Sequence, residues 1–355
     1  MASAAKRLRV GAVNRVYLPS LDGLRGVAAL AVVGSHFENL SGFQLHLQDA
    51  GAAVDFFFIL SGFVIGQAYE PRLLGGLSWR AYMGLRLGRL YPAILGGLIV
   101  GLAVATIAGD PVGPAAMVQF LLAPVLFGPA MHGGELFPLN GPQWSLFWEL
   151  IANAAHALVV RWLTVPLLVA IVVVSGAAVV WASLTFGSLD AGWGRANLWG
   201  GPPRVAFGFF TGVLLFRLHA AGWRTPRLPY PLVALALGMC MFRWFPGAGG
   251  LAIRDIVKVI VVLPALVAVA VNSRVSPRLT PVAIWLGALS YPLYAIHVPL
   301  LRGGEQVINQ LFDTPPAWAW WLCLAATLVL ATAFERFYDA PIRAWLRGRR
   351  RAPKA

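Results

Sequence analysis

Charge is what this sequence has least of. Of its 355 residues only 12% are Asp, Glu, Lys or Arg, where a soluble domain carries about 25%. So few charges cannot cover a water-facing surface, which excludes soluble sheet enzymes, coiled coils and disordered chains. Cysteine is nearly absent. Cys240 and Cys323 stand singly in apolar runs, which excludes a disulfide scaffold and leaves no cysteine pair for a metal; both read as packing residues. Acid is scarcer than base, 14 Asp and Glu against 28 Lys and Arg, for a formal net charge of +14. What is abundant is apolar: 59% of the residues, with a mean hydropathy of +0.72. The 38 glycines and 25 prolines suit a membrane bundle better than soluble helices.

Apolar runs long enough to cross a bilayer predict helices near 18–38, 53–70, 88–109, 143–161, 165–185, 203–218, 229–245, 254–272, 282–301 and 317–337. The fold expected is therefore all-α, a polytopic transmembrane bundle of about ten spanning helices. An eleventh apolar stretch, 115–131, is broken by Pro124 and Pro129 and reads as re-entrant or interfacial, tolerable only where it is buried or lines a cavity. Basic residues cluster at Lys6, Arg7, Arg9 and Arg15, at Arg72, Arg80, Arg86 and Arg89, at Arg217, Arg224 and Arg227, at Arg274 and Arg278, and from Arg343 to Lys354. The positive-inside rule explains this surplus and places both termini in the cytoplasm. Nucleic acid is not expected as a partner; membrane lipid is. The chain divides into a basic arm (1–17), one membrane domain (18–342) and a basic tail (343–355). The location implied is integral to a membrane, the bacterial plasma membrane.

Ionisable groups at membrane depth mark function by default. Arg25 and His36 on the first helix are eleven residues apart, about 1100° of turn and 16–17 Å of rise, so they share one face. Each alone has a bland reading, Arg25 as a snorkelling cation and His36 as an interfacial group. Asp55 leads an aromatic run, Asp55-Phe56-Phe57-Phe58; it either orients His36, as carboxylates orient bases, or caps its helix. Arg86 and Arg89 are one turn apart and offer planar donors to phosphate, or simply set topology. Glu149 follows Trp144 and Ser145 inside the fourth span, where an unpaired carboxylate would need neutralising. Tyr294 and His297 adjoin on a later helix. Gly97-x-x-x-Gly101 and Gly208-x-x-x-Gly212 suit close helix contact.

In this order the blocks resemble the acyltransferase-3 family of integral membrane acyltransferases. The matching pieces are Leu21-Asp22-Gly23-Leu24-Arg25-Gly26 with His36, Asp55 with Ser61-Gly62-Phe63, and Arg86 and Arg89 with Leu90-Tyr91-Pro92. They continue with Trp144-Ser145-Leu146 and Glu149, Ser290-Tyr291-Pro292-Leu293-Tyr294 with His297, and Glu335 to Pro341. One such block is weak; six in register over residues 18–342 are specific. The resemblance implies transfer of an acyl group, most often acetyl, to a hydroxyl of a glycan or glycosylated small molecule. It implies acetyl-CoA or another acyl-CoA as donor substrate and no permanently bound cofactor or metal. By this resemblance Arg25 and His36 correspond to the family's proposed catalytic pair; Trp144, Ser145, Ser290, Tyr291, Tyr294, His297 and Glu335 are further candidates.

On these residues, His36 is expected to act as general base, since His titrates near working pH without a large shift, oriented by Asp55 or Glu149. The donor's phosphates are expected at Arg86, Arg89 and Arg25. The competing reading is a transporter or flippase without chemistry, because broken segments and intramembrane charge also suit transport.

Overall fold

The computed structural model describes residues 17–109, 114–122, 136–243 and 251–351. The arm up to residue 16, positions 123–131 of the eleventh stretch and residues 352–355 lie outside the described residues. All regular structure among the described residues is helical. The helices are α1 (Pro19–Ser41), α2 (Ala52–Leu74), α3 (Trp79–Ile107), α4 (Pro114–Leu122), α5 (Gln143–Val159), α6 (Val165–Phe186), α7 (Gly201–Ala220), α8 (Tyr230–Cys240), α9 (Leu251–Val257), α10 (Leu263–Asn272), α11 (Thr280–Leu311), α12 (Ala317–Phe334) and α13 (Ala340–Arg351). A π-helical turn joins α9 to α10 and another joins α12 to α13.

Each apolar segment expected from the sequence is met by a helix. Six are long and apolar enough to cross a membrane: α2, α3, α6, Ala252–Asn272, α11 and Ala317–Gly348. The other four, α1, α5, α7 and α8, are shorter or carry charges that face inward. The nine residues of α4 extend about 13–14 Å, too little to cross alone.

Local chemistry sets the helix ends. Ser78 and Thr164 accept hydrogen bonds from the backbone N–H of Ala81 and Leu167 at the starts of α3 and α6, satisfying donors with no helical partner. Gly187 ends α6 at φ 75°, the left-handed region that glycine enters without cost.

The two largest interfaces join helices far apart in sequence, α1 with α11 and α2 with α7. Both pairs run parallel. Gly23 and Gly26 of α1 lie against Ala283 and Leu286 near the start of α11, while His36 meets His297 further along both. On α7, Gly208 and Gly212 lie against the backbone of Asp55 and Ile59, and Gly62 of α2 lies against the carbonyl of Phe209. The Gly208-x-x-x-Gly212 spacing is thus a helix contact, and it lets two backbones meet where a Cβ would collide. Of the other spacing, Gly97 meets α11 and Gly101 meets the Leu139 carbonyl.

Gly97 also serves a second purpose. Pro299 in α11 has no N–H to give the carbonyl of Ala295. Asn140 takes that oxygen instead, donating Nδ2–H at 2.7 Å, and the bare face of Gly97 leaves room for the approach.

Contacts between helices fix their senses. The starts of α1, α3, α8 and α11 share one end of the bundle with the end of α12 and with α13, here the lower end. At the upper end the Glu38 carboxylate accepts from the N–H of His46 and Leu47 and from Gln48. Beside it Asp49 binds Arg243, Arg254 and Lys258.

Gly212→Val would drive a Cβ into the Ile59 carbonyl, and overpacking of that kind costs about 1–3 kcal/mol. The purified protein is expected to melt several degrees lower, as read by tryptophan fluorescence in detergent. Gly238→Ala, which meets nothing within 4 Å, is expected to melt with the wild type. Equal melting of the two variants would remove the close-packing role from Gly212.

Candidate active site

A cavity of about 450 Å³ opens among α1, α2, α3, α5 and α11 at the lower end of the bundle. Its charged part is lined by Asp22, Arg25, Arg86, Arg89, Glu149 and Glu335, with Arg343 beside them. The rest of its lining includes Phe57, Phe58, Ser145 and Tyr294, with Ser290 and Tyr291. Nine of the sequence candidates thus meet around one space: Arg25, Arg86, Arg89, Ser145, Glu149, Ser290, Tyr291, Tyr294 and Glu335.

The arginines are held in different ways. Arg25 pairs with Asp22 at 3.2 Å, donates to the Gly287 carbonyl at 2.6 Å and reaches the Ser290 hydroxyl. Arg86, buried, pairs with Glu149 at 3.1 Å. The same Glu149 oxygen accepts the Ser61 hydroxyl at 2.6 Å. Arg343 is held by Asp339 at 2.7 Å and lies 3.6 Å from Glu335. Arg89 is the exception: its side chain is exposed towards the cavity, and no carboxylate among the described residues lies within ion-pair distance of it. The Arg86 and Arg89 pair therefore divides, one cation compensated and one free. At the mouth, desolvation first and the Asp22 carboxylate second push the Tyr17 phenol up to about 12, so it remains a protonated donor.

The inner end is closed by a hydroxyl pair. Ser145 Oγ and Tyr294 OH lie 2.7 Å apart and both reach the Pro142 carbonyl. Tyr291 is tied to α3 through the Leu90 carbonyl at 2.6 Å. Beyond Tyr294 stand two histidines. His297 is fully buried, its ring 5.9 Å from that of Tyr294 and 5.1 Å from that of His36. His36 does not line the cavity. Arg25 and His36 do share one face of α1: Arg25 reaches Ser290 and His36 meets His297, two turns further along α11.

Asp55 departs from both roles the sequence offered. The residue preceding α2 is Gly51, so Asp55 is not the cap. Nor does its carboxylate go to His36: it takes two donors from Arg204, at 3.0 and 2.8 Å, with both side chains about 1% exposed. Arg204 also donates to the carbonyls of Ala191 and Gly51 and lies over the Trp144 ring, 5.1 Å from its centroid. Trp144 is therefore a buried support for that ion pair and not part of the cavity wall. Glu149 is likewise occupied by Arg86 and Ser61, away from His36. Sequence reading missed Arg204; a single arginine at the head of the 203–218 span, with one acid at the head of the 53–70 span, was the available sign. Ser61 was visible only as part of a Ser-Gly-Phe block, because its partner Glu149 is 88 positions away.

Comparison with known proteins adds to the geometry. A family model described as an acyltransferase domain matches residues 18–336. Acyltransferase MdmB of Streptomyces mycarofaciens is 27% identical over 351 residues, covering 89% of this chain and 89% of that protein. Protein 2 in picA locus of Rhizobium radiobacter is 36% identical over 159 residues, 40% of this chain and 80% of that protein. Peptidoglycan O-acetyltransferase OatA of Listeria monocytogenes is 26% identical over 365 residues; they cover 93% of this chain but 56% of that longer protein. No solved structure matches.

Arg204→Met would leave Asp55 charged and alone. Removing one partner of a buried pair costs about 3–5 kcal/mol, so folded yield and melting temperature are expected to fall sharply. Adding Asp55→Asn is expected to recover part of the loss, because the stranded charge is then gone. A double variant no better than Arg204→Met would show that packing, not charge, sets the cost.

Proposed function

The chain belongs to the acyltransferase-3 family, and from that membership we propose that this membrane O-acyltransferase moves an acyl group, acetyl in the first instance, from acyl-CoA to a hydroxyl of a glycan or glycosylated small molecule. The reading is carried by one observation: a single cavity joins an uncompensated arginine at its charged mouth to a pair of hydroxyls at its inner end. The name of the peptidoglycan O-acetyltransferase among its relatives supports a glycan acceptor, and that of the acyltransferase supports acyl transfer. The other reading of the sequence, transport without chemistry, does not account for the family.

The donor is an anion with a long neutral arm, and the cavity is graded to suit it. Arg89 supplies the free positive charge for phosphate, in bidentate geometry. Arg86 and Arg25 add field at the mouth but keep their own partners. The pantetheine arm runs inward between Phe57 and Phe58, which brings the thioester to Ser145 and Tyr294. His36, beyond Tyr294, takes the proton of the acceptor hydroxyl as it attacks the thioester carbon. The new C–O bond forms, the C–S bond breaks, and the proton passes to the thiolate, releasing CoA. The acyl group must therefore pass the Tyr294 side chain to reach the acceptor. With both basic termini in the cytoplasm of a bacterium, the lower end faces the acyl-CoA pool of the cell. The acceptor then approaches from the upper end, across the plasma membrane.

The test is transfer from radiolabelled acetyl-CoA in inverted membrane vesicles. General-base catalysis is worth about 10²–10⁴-fold, so His36→Ala is expected to lose at least about 100-fold in kcat; transfer at the wild-type rate would sink the assignment. A charge-assisted hydrogen bond is worth about 1.5–3 kcal/mol. Arg89→Ala is therefore expected to raise the donor KM by about tenfold or more, with a milder effect on kcat. An unchanged KM would remove Arg89 from the donor site.

A further inference from the structure

His297 has one ring nitrogen that its surroundings leave unused. The ring is fully buried. Its Nδ1 lies 3.0 Å from the carbonyl oxygens of both Leu293 and Tyr294. Carbonyls only accept, so Nδ1 of the neutral ring carries the proton and Nε2 is left as a lone pair. Among the described residues Nε2 has no hydrogen-bond partner. A buried acceptor left without a donor costs about 1–3 kcal/mol, and such orphans call for an explanation in function or strain. Its aromatic neighbours are Tyr294, on its own helix, and His36, across the α1–α11 interface.

We propose that His297 is the positioning residue for His36: its Nε2 lone pair receives the His36 N–H when that ring takes up the acceptor's proton. This rests on the reading of His36 as general base. The two carboxylates that the sequence offered for the role are engaged, Asp55 by Arg204 and Glu149 by Arg86 and Ser61. Two imidazoles joined by an N–H···N bond have centroids about 5 Å apart, since each nitrogen lies about 1.1 Å from its centroid and hydrogen bonds span about 2.8–2.9 Å. The rings stand at 5.1 Å with planes at 51°, the separation that such a bond requires. The tautomer of His297 is set in advance by the backbone of α11, as a hydrogen bond to one ring nitrogen fixes the state of the other in metal-bound and catalytic histidines. The proton is not handed on: it stays with His36 until the CoA thiolate takes it, and His297 ends each cycle unchanged.

Three variants and one spectrum test this. His297→Phe keeps a ring and removes the acceptor; His297→Gln places a carbonyl oxygen close to the lost Nε2. The expected result is a fall in kcat of roughly 100-fold for His297→Phe, a donor KM within twofold of wild type, and recovery of at least tenfold in His297→Gln. A merely structural residue would shift KM and melting temperature as well and would show no such ordering. Wild-type kcat in His297→Phe, or His297→Gln as slow as His297→Phe, would overturn the inference while leaving the base assignment intact. Full activity in His36→Ala would overturn both. Should the variants fail to fold, ¹⁵N spectra of histidine-labelled wild-type protein decide. An unprotonated His297 nitrogen whose shift responds to bound acyl-CoA is expected, and a protonated Nε2 would overturn the proposal.

Discussion

The mutual grip of Asp55 and Arg204 is the interaction on which the bundle turns. Both side chains are out of reach of water, and each would be very costly to bury alone. Two hydrogen bonds to each other, and two more from Arg204 to the Ala191 and Gly51 carbonyls, discharge that cost. The pair fixes the upper end of the α2–α7 contact. At the lower end Glu70 does the same work with Arg217, at 2.5 Å, and Arg217 also holds the Leu163 carbonyl. Between these ends glycines bring the two backbones together. The result is a rigid slab, α2 with α7, against which Ser61, Phe57 and Phe58 are presented to the cavity at fixed positions. The slab is made with charge because lipid-facing helices gain nothing from hydrophobic association.

The cavity follows the same logic with one deliberate gap. Asp22, Glu149 and Asp339 each neutralise an arginine, and Arg89 is left over. A cation that faces an open cavity without an ion-pair partner favours an anion there.

Much of this was legible in the sequence, for physical reasons. Length and hydropathy locate every long helix, because a bilayer demands about 20 apolar residues and little else does. The spacing of Arg25 and His36 places both on one face of α1 because helical geometry is local. The Gly208-x-x-x-Gly212 contact is read the same way. What the sequence did not reveal is which groups meet across helices. Asp55 read as the partner of His36 because the two are close in sequence, yet its actual partner is 149 positions away. Ser61 and Glu149 are 88 apart. Nor could sequence tell Arg86 from Arg89, since only the placement of Glu149 separates them. The crossing count was less legible too, because α1 and α7 spend hydropathy on inward charges and so look marginal.

The sequence separation of the two main helix pairs has a consequence for assembly in the membrane. Helices enter the bilayer in the order in which they are synthesised, yet α1 finds its chief partner only when α11 has followed it. Arg25 thus waits through most of the chain's synthesis for Ser290 and the Gly287 carbonyl, with Asp22 as its sole early companion. Asp55 waits for Arg204 in the same way. Folding of such non-local pairings is slow, because the intervening chain must be ordered before contact rewards it. The site is accordingly the last thing this protein completes: a truncated chain lacking α11 has Arg25 without Ser290 and the Gly287 carbonyl and His36 without His297, and the cavity is assembled only with the closing of the bundle.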